Sequence, residues 1–223
     1  MAFMNASSVP GPVSSGSFGP TVGRVAGAVL AGGRSSRMGA TKAFALLAGR
    51  PLLAHVLDRL RPQTARVYLN ARDDSDRWRA FGCPLVEDAS EWRGAGPLAG
   101  IAAALARAAA EGFTWLATAP CDAPFLPLDL VAKLAAPIAS GAPAAVAVGP
   151  GGLEPLFALW PVAALGQIEA ALAGQAGPSR VLQEMGAARV SFGSSAEADP
   201  FANLNTPEEL AAAEALFHQP VRP

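Results

Sequence analysis

Two stretches of the 223-residue chain have the composition to hold an anion and a cation side by side. The first runs from Leu30, Ala31, Gly32 and Gly33 through Arg37 and Gly39 to Lys42. Its glycines let the backbone approach a ligand and turn N–H groups toward phosphate, while Arg37 and Lys42 supply positive charge. Lysine is scarce, 2 residues against 15 arginines, so its presence in this loop is informative. The spacing fits neither a Walker A loop, which needs Lys directly after its last Gly, nor the G-x-G-x-x-G dinucleotide fingerprint. The second stretch is Pro120-Cys121-Asp122-Ala123-Pro124. A carboxylate between two prolines after an apolar run is a rigid hard-oxygen ligand, and Mg2+ bound to phosphate commonly takes only one or two protein carboxylates plus water. Asp122 is therefore the expected metal ligand, and Mg2+ the expected ion.

Other polar residues fall where a nucleotide would need them. Asn70 and Asp88 offer an amide and a carboxylate suited to a base edge or a ribose. Asn203 and Asn205 bracket Leu204, and alternation along an extended segment places both amides on one side, away from that leucine. Cys121 reads as a small buried filler, because no His lies near it in sequence to activate the thiol. His55 and His218 read as structural or solvated, and the stretch Arg72 to Arg79 as an exposed charged face. Arg180 reads as a surface residue in preference to a contact for an acceptor phosphate.

The elements that must position these groups alternate. Residues 25–30, 66–70, 84–86 and 113–119 are short apolar runs, separated by helical patterns at 51–60, from the Gly/Pro loop 94–100 to about Glu111, and at 127–134. Four strands alternating with helices imply an α/β fold, a single-domain, Rossmann-like three-layer sandwich with a mostly parallel sheet. In such a sheet ligands lie beyond the carboxyl ends of the strands, where Asn70, Asp88 and Asp122 fall. Residues 144–148 and 154–160 flank Gly149-Pro150-Gly151-Gly152 as a hairpin, 162–174 is helical, and 188–192 is a late strand. The region from about 150 to 195 is expected to build one wall of a cleft. Thr206, Pro207 and Glu209 form a capping box that opens a last helix at 205–217.

Composition narrows the function classes. Seventeen basic and eighteen acidic side chains give a net charge of −1, so no general positive field exists to hold nucleic acid or an anionic membrane. No apolar run reaches the ~18 residues of a membrane span. Two cysteines are too few for a disulfide framework, and a cytoplasmic setting is expected. Residues 1–22, rich in Ser, Gly and Pro, are expected to be a disordered tail preceding one domain over 23–219.

The segment LAGGRSSRMGATK resembles the signature loop of the MobA-like nucleotidyltransferases, and among them the molybdenum cofactor guanylyltransferases. The likeness extends through VYLN ending at Asn70, VEDA with Asp88, GPLAG (96–100), PCDAP (120–124) and FANLNTPEEL (201–210), in the family's order. Family members usually carry Asp directly before the loop Lys; here Thr41 stands there, in a shorter connection. The resemblance implies a fold of the nucleotide-diphospho-sugar transferase type and transfer of GMP from GTP to molybdenum-bound molybdopterin. It assigns Leu30, Ala31, Gly32, Gly33, Lys42, Asn70, Asp88 and Asp122 to the nucleotide. Arg37, Lys42 and Asp122 then act in catalysis, Asp122 through Mg2+, and Asn203 and Asn205 face the acceptor. A monomer is expected, with transient contacts to other proteins of molybdenum cofactor biosynthesis. The double glycine favours guanine by the same resemblance, since cytidylyl relatives tend to carry a bulkier residue there. The alternatives are a cytidylyltransferase or another nucleotidyltransferase acting on a phosphate, and a non-catalytic nucleotide or cofactor carrier.

Overall fold

In the computed structural model, residues 24–32, 42–73, 75–193 and 199–217 are described. Gly33, Arg37, Thr41, His218 and the segment 1–22 lie outside them. The first strand, β1 (Val25–Leu30), is buried along its whole length and sends alternate side chains to two separate cores, Val25 and Val29 to one, Ala26, Ala28 and Leu30 to the other. An unbroken apolar run is what a central strand covered on both faces requires. On one face α1 (Leu52–Leu60) and α4 (Leu130–Ala139) cover the sheet with Leu53, Val56, Leu57, Val131, Leu134 and Ile138. On the other, α3 (Pro97–Ala110), α5 (Leu165–Ala173) and α6 (Pro178–Glu184) contribute Ile101, Leu105, Ile168, Leu172 and Leu182. The result is three layers, as the alternation of elements requires.

Besides β1, the main sheet contains β4 (Arg66–Asn70), β5 (Leu85–Val86), β6 (Trp115–Pro120), β7 (Ala145–Gly149), β8 (Gly152–Pro161) and β9 (Ala188–Ser191), in the order β5-β4-β1-β6-β8-β7-β9. β1 pairs in parallel with both β4 and β6; β8 runs antiparallel to β6 and to β7, and β9 is parallel to β7. The chain builds outward from β1 to β4 and β5 on one side, then crosses back to place β6 on the other. The order reverses between β1 and β6, and ligands of open α/β sheets bind in the crevice at that point.

Several details differ from the sequence reading. The segment 96–100 is not a loop: α3 starts at Pro97, a position that needs no N–H partner and suits proline. The hairpin of β2 (Leu46–Leu47) and β3 (Arg50–Pro51) was not expected; it turns at Ala48 and Gly49, both with positive φ. The short helices α2 (Asp76–Arg79) and α6 also escape periodicity, being one or two turns long. The last helix, α7 (Pro207–Phe217), is capped as read: Glu209 N–H donates to Thr206 Oγ1 (3.1 Å) and Thr206 N–H to Glu209 Oε2 (3.0 Å). Leu204 and Ala213 seat this segment on Leu47 and Leu52.

Candidate active site

A crevice lies across the carboxyl ends of β5, β4, β1 and β6 and beside the amino-terminal half of the antiparallel β8. Leu30, Ala31, Gly32, Lys42, Asn70, Asp88 and Asp122 line it, together with Gly96, Pro97, Pro120, Cys121 and Leu156. The residues proposed from sequence for the nucleotide thus meet in one place wherever they are described, Gly33 and Arg37 being outside the described chain.

At the β4 end, Asn70 is 3% exposed and donates through Nδ2 to the Val86 carbonyl (3.2 Å) and to Asp88 Oδ1 (2.9 Å). With both amide hydrogens used, its Oδ1 points between two glycines. A Cβ on Gly100 would lie 2.2 Å from this oxygen, and one on Gly32 would lie 2.9 Å away. Real Cβ atoms do not come that close, so both positions need glycine to let backbone pass over the amide. Ala31 N–H donates to the Asn70 carbonyl (2.9 Å) and Arg72 Nε to the Gly32 carbonyl (2.9 Å), which ties the start of the Gly-rich loop to the end of β4. Arg72 is exposed as read, yet it also anchors that loop. Asp88 keeps one carboxylate oxygen beyond its bond to Asn70, an acceptor suited to ribose hydroxyls or the N–H groups of a purine.

At the β6 end, Asp122 and Lys42 stand 3.7 Å apart, each with 16% of its side chain exposed. Lys42 Nζ also donates to Asn205 Oδ1. Asn205 Nδ2 donates to the Asn203 carbonyl (3.0 Å), and Leu204 N–H to the Asp122 carbonyl (2.9 Å), so the segment before α7 is docked on the turn after β6. Leu204 is buried while Asn203 and Asn205 are exposed, the alternation that the sequence implied. Burial pushes the Asp122 carboxyl above the usual carboxylate range despite the opposing pull of Lys42. A desolvated carboxylate with one cation nearby is a fit for a divalent ion. Among the described residues no group of three or more His, Cys, Asp or Glu forms a protein cage. An ion on Asp122 would therefore complete its shell with phosphate oxygens and water, as Mg2+ commonly does.

The remaining side chains sort by their contacts. Burial, then the neighbouring Asp122 charge, pushes the Cys121 thiol up to about 12, so it stays protonated and serves as packing. His55 Nε2 bonds the Leu47 carbonyl (2.9 Å), a structural role. Arg180 pairs with Glu184 (2.7 Å) on the surface. Gly96, Pro97, Pro120, Cys121 and Leu156 line the crevice without having been assigned to it from sequence, and of these only Leu156 lies outside every motif singled out there. The available signal was Pro155: proline inside a strand pattern marks an edge or a bulge, and β8 is not an edge.

No helix among the described residues is long and apolar enough to cross a membrane. Residues 27–190 match the MobA-like NTP transferase domain family. The molybdenum cofactor guanylyltransferase of Rhizobium meliloti (strain 1021) is 41% identical over 215 residues, covering 92% of this chain and 94% of the relative. The crystal structure of molybdopterin-guanine dinucleotide biosynthesis protein A from Archaeoglobus fulgidus shares the fold at TM-score 0.67 and 24% identity, covering 86% of this chain and 98% of that one. So does 2-C-methyl-D-erythritol 4-phosphate cytidylyltransferase from Thermus thermophilus, at TM-score 0.61 and 20% identity, covering 86% and 98%. With a relative this similar along nearly its whole length, the chain belongs to the molybdenum cofactor guanylyltransferases within the MobA-like NTP transferase family.

Proposed function

We propose that this chain, through one transferase domain over 23–219, transfers GMP from GTP to the terminal phosphate of molybdenum-bound molybdopterin, giving molybdopterin guanine dinucleotide and pyrophosphate. The observation that carries the reading is the meeting of Asp122, Lys42, Asn70 and Asp88 along one crevice at the sheet's switch point. An oxygen of the acceptor phosphate attacks the α-phosphorus of GTP, a new P–O bond forms, and the bond from the α-phosphorus to the bridging oxygen breaks with its electron pair leaving on pyrophosphate. The attacking phosphate is already ionised near neutral pH, so alignment and charge neutralisation suffice without a strong base. The protonated Cys121 and the structural His55 agree with that demand.

Asp88 holds the nucleoside end, positioned by the Asn70 amide, and Gly32 allows the close approach of backbone. Lys42 neutralises charge on the transferred and leaving phosphates, with Arg37 and Gly33 assigned beside it by the family's loop motif. Asp122 would hold the divalent ion, read as Mg2+, which would supply Lewis-acid withdrawal of electron density from phosphate. Asn205 orients Lys42 from the acceptor side, next to Asn203. GTP and molybdenum-molybdopterin are the substrates in this reading.

Pyrophosphate release is the test. With Mg2+ and molybdenum-molybdopterin, GTP should support release and CTP should not; equal release with both would transfer the protein to a broader nucleotidyltransferase class, and none with either would leave a carrier.

A further inference from the structure

β8 does not keep one register. It pairs Ala158 with Val146 of β7, and the next rung joins Glu154 to Ala147, so Pro155, Leu156 and Phe157 are extra residues on one strand. On its other edge β8 pairs with β6 only at Trp115, Leu116 and Ala117, leaving Thr118 to Pro120 without a ladder partner on that side. The ladder between the two strands therefore ends before the crevice, and Thr118 is tied to β8 only through its side chain, Oγ1 accepting from Trp160 Nε1 (3.1 Å) and donating to the Ala158 carbonyl (3.5 Å). The bulge is held open from behind. Phe157 turns to the α1/α4 face and packs against Phe201 with the rings tilted and their centroids 4.6 Å apart, and Phe201 lies so close to Gly149 that a Cβ there would meet it at 2.6 Å. Leu156, the neighbour of Phe157, turns the other way. It is half-buried, leans on the α3/α5 core, and lines the crevice.

Along the sheet the crevice has an order: Asn70 at the end of β4 and Asp88 just after β5, the start of the Gly-rich loop after β1, Asp122 just after β6, Leu156 on β8. If the nucleoside takes the first end and the phosphates the middle, the bulged stretch of β8 beyond the last β6 rung is what remains for the acceptor. Leu156 is the only lining side chain that β8 supplies, an aliphatic ledge beside Asp122, and such a ledge suits the face of a planar ring. The geometry points to Leu156 as an acceptor-positioning residue, packing against the fused-ring face of the pterin; this rests on the guanylyl-transfer reading for the acceptor's identity.

The test is equilibrium binding of molybdopterin and, separately, of GTP to the full chain, comparing wild type with Leu156→Ala and Leu156→Met. Truncation should weaken molybdopterin binding roughly tenfold, Met should restore it to within about threefold because it refills the volume, and GTP affinity should stay unchanged. Molybdopterin affinity unaffected by Leu156→Ala, or GTP affinity falling as far, would overturn the assignment. A wild-type protein that binds molybdopterin yet releases no pyrophosphate with GTP would sink the transfer reading and leave Leu156 to be judged on the binding numbers. One that does not bind molybdopterin would overturn both.

Discussion

The two ends of the crevice are built on opposite principles. At the β4 end the side chain that supports the ligand surface is already satisfied within the protein. Asn70 spends both amide hydrogens inside the protein, and glycines clamp its oxygen. At the β6 end charged groups sit part-buried with few partners between them: Asp122 has Lys42, and Lys42 also has Asn205. The first arrangement is preorganised and resists change; the second is completed by what binds. In the proposed reading, a nucleoside with a fixed pattern of donors and acceptors is read by the rigid end, and a triphosphate with its metal by the incomplete one. The contrast also locates where substitutions should act on binding and where on turnover.

The largest effect should come from the incomplete end. Asp122→Ala is expected to keep the fold and lower the rate of pyrophosphate release by at least ~10²-fold, the scale of losing one main electrostatic contributor. Near-normal release would remove the metal from Asp122. The clean counterpart at the rigid end is Gly100→Ala. No rotation of a methyl avoids the Asn70 oxygen 2.2 Å away, so Asn70 must leave its two bonds or α3 must shift. Overpacking of this kind costs about 1–3 kcal/mol. GTP affinity, measured by titration calorimetry, should fall about tenfold or more while the saturated rate changes little. A Gly100→Ala protein that binds GTP normally would show that Asn70 does not set the nucleoside end. Lys42→Ala should mix the two behaviours, weakening GTP and slowing transfer by roughly tenfold each, since charged hydrogen bonds contribute about 1.5–3 kcal/mol. Unchanged GTP affinity there would show that the short connection after Gly39 directs this side chain away from the phosphates.

How much of this was legible before the structure depends on the kind of interaction. The layers and the central strands follow from apolar runs and period, and the capping box of Thr206 and Glu209 from three local residues. Asn70, Asp88 and Asp122 could be placed together because each ends a strand of one sheet. What sequence could not show was non-local. Gly100 matters only because Asn70, thirty positions away in the chain, lies over it, and its segment resembled a loop when it is the first turn of α3. Arg72 looked like one more surface charge, and its bond to Gly32 depends on how β4 meets β1. The bulge at Leu156 is a property of pairing with β7, to which Pro155 gave only a faint pointer.

The smallest predicted effect bears most directly on the contrast between the ends. Burial raises the Asp122 carboxyl pKa, and Lys42 only partly offsets that. A carboxyl whose pKa is higher folded than unfolded binds its proton more tightly in the native state. Its contribution to stability is therefore greatest when protonated, and declines as pH rises from the unfolded value through the folded one. Asp122→Asn keeps the shape and removes the ionisation. In metal-free, nucleotide-free buffer the melting temperature of the variant relative to wild type should climb as pH rises from about 4 toward 7, and level off above the native pKa. Divalent metal should then stabilise wild type and leave the variant unmoved, since a ligand raises stability only where it binds the folded state. A variant that instead loses ground as pH rises would mean that Lys42, held by Asn205, already satisfies the carboxylate. The β6 end would then be as complete without its ligands as the β4 end, and the division of labour between the two would fail.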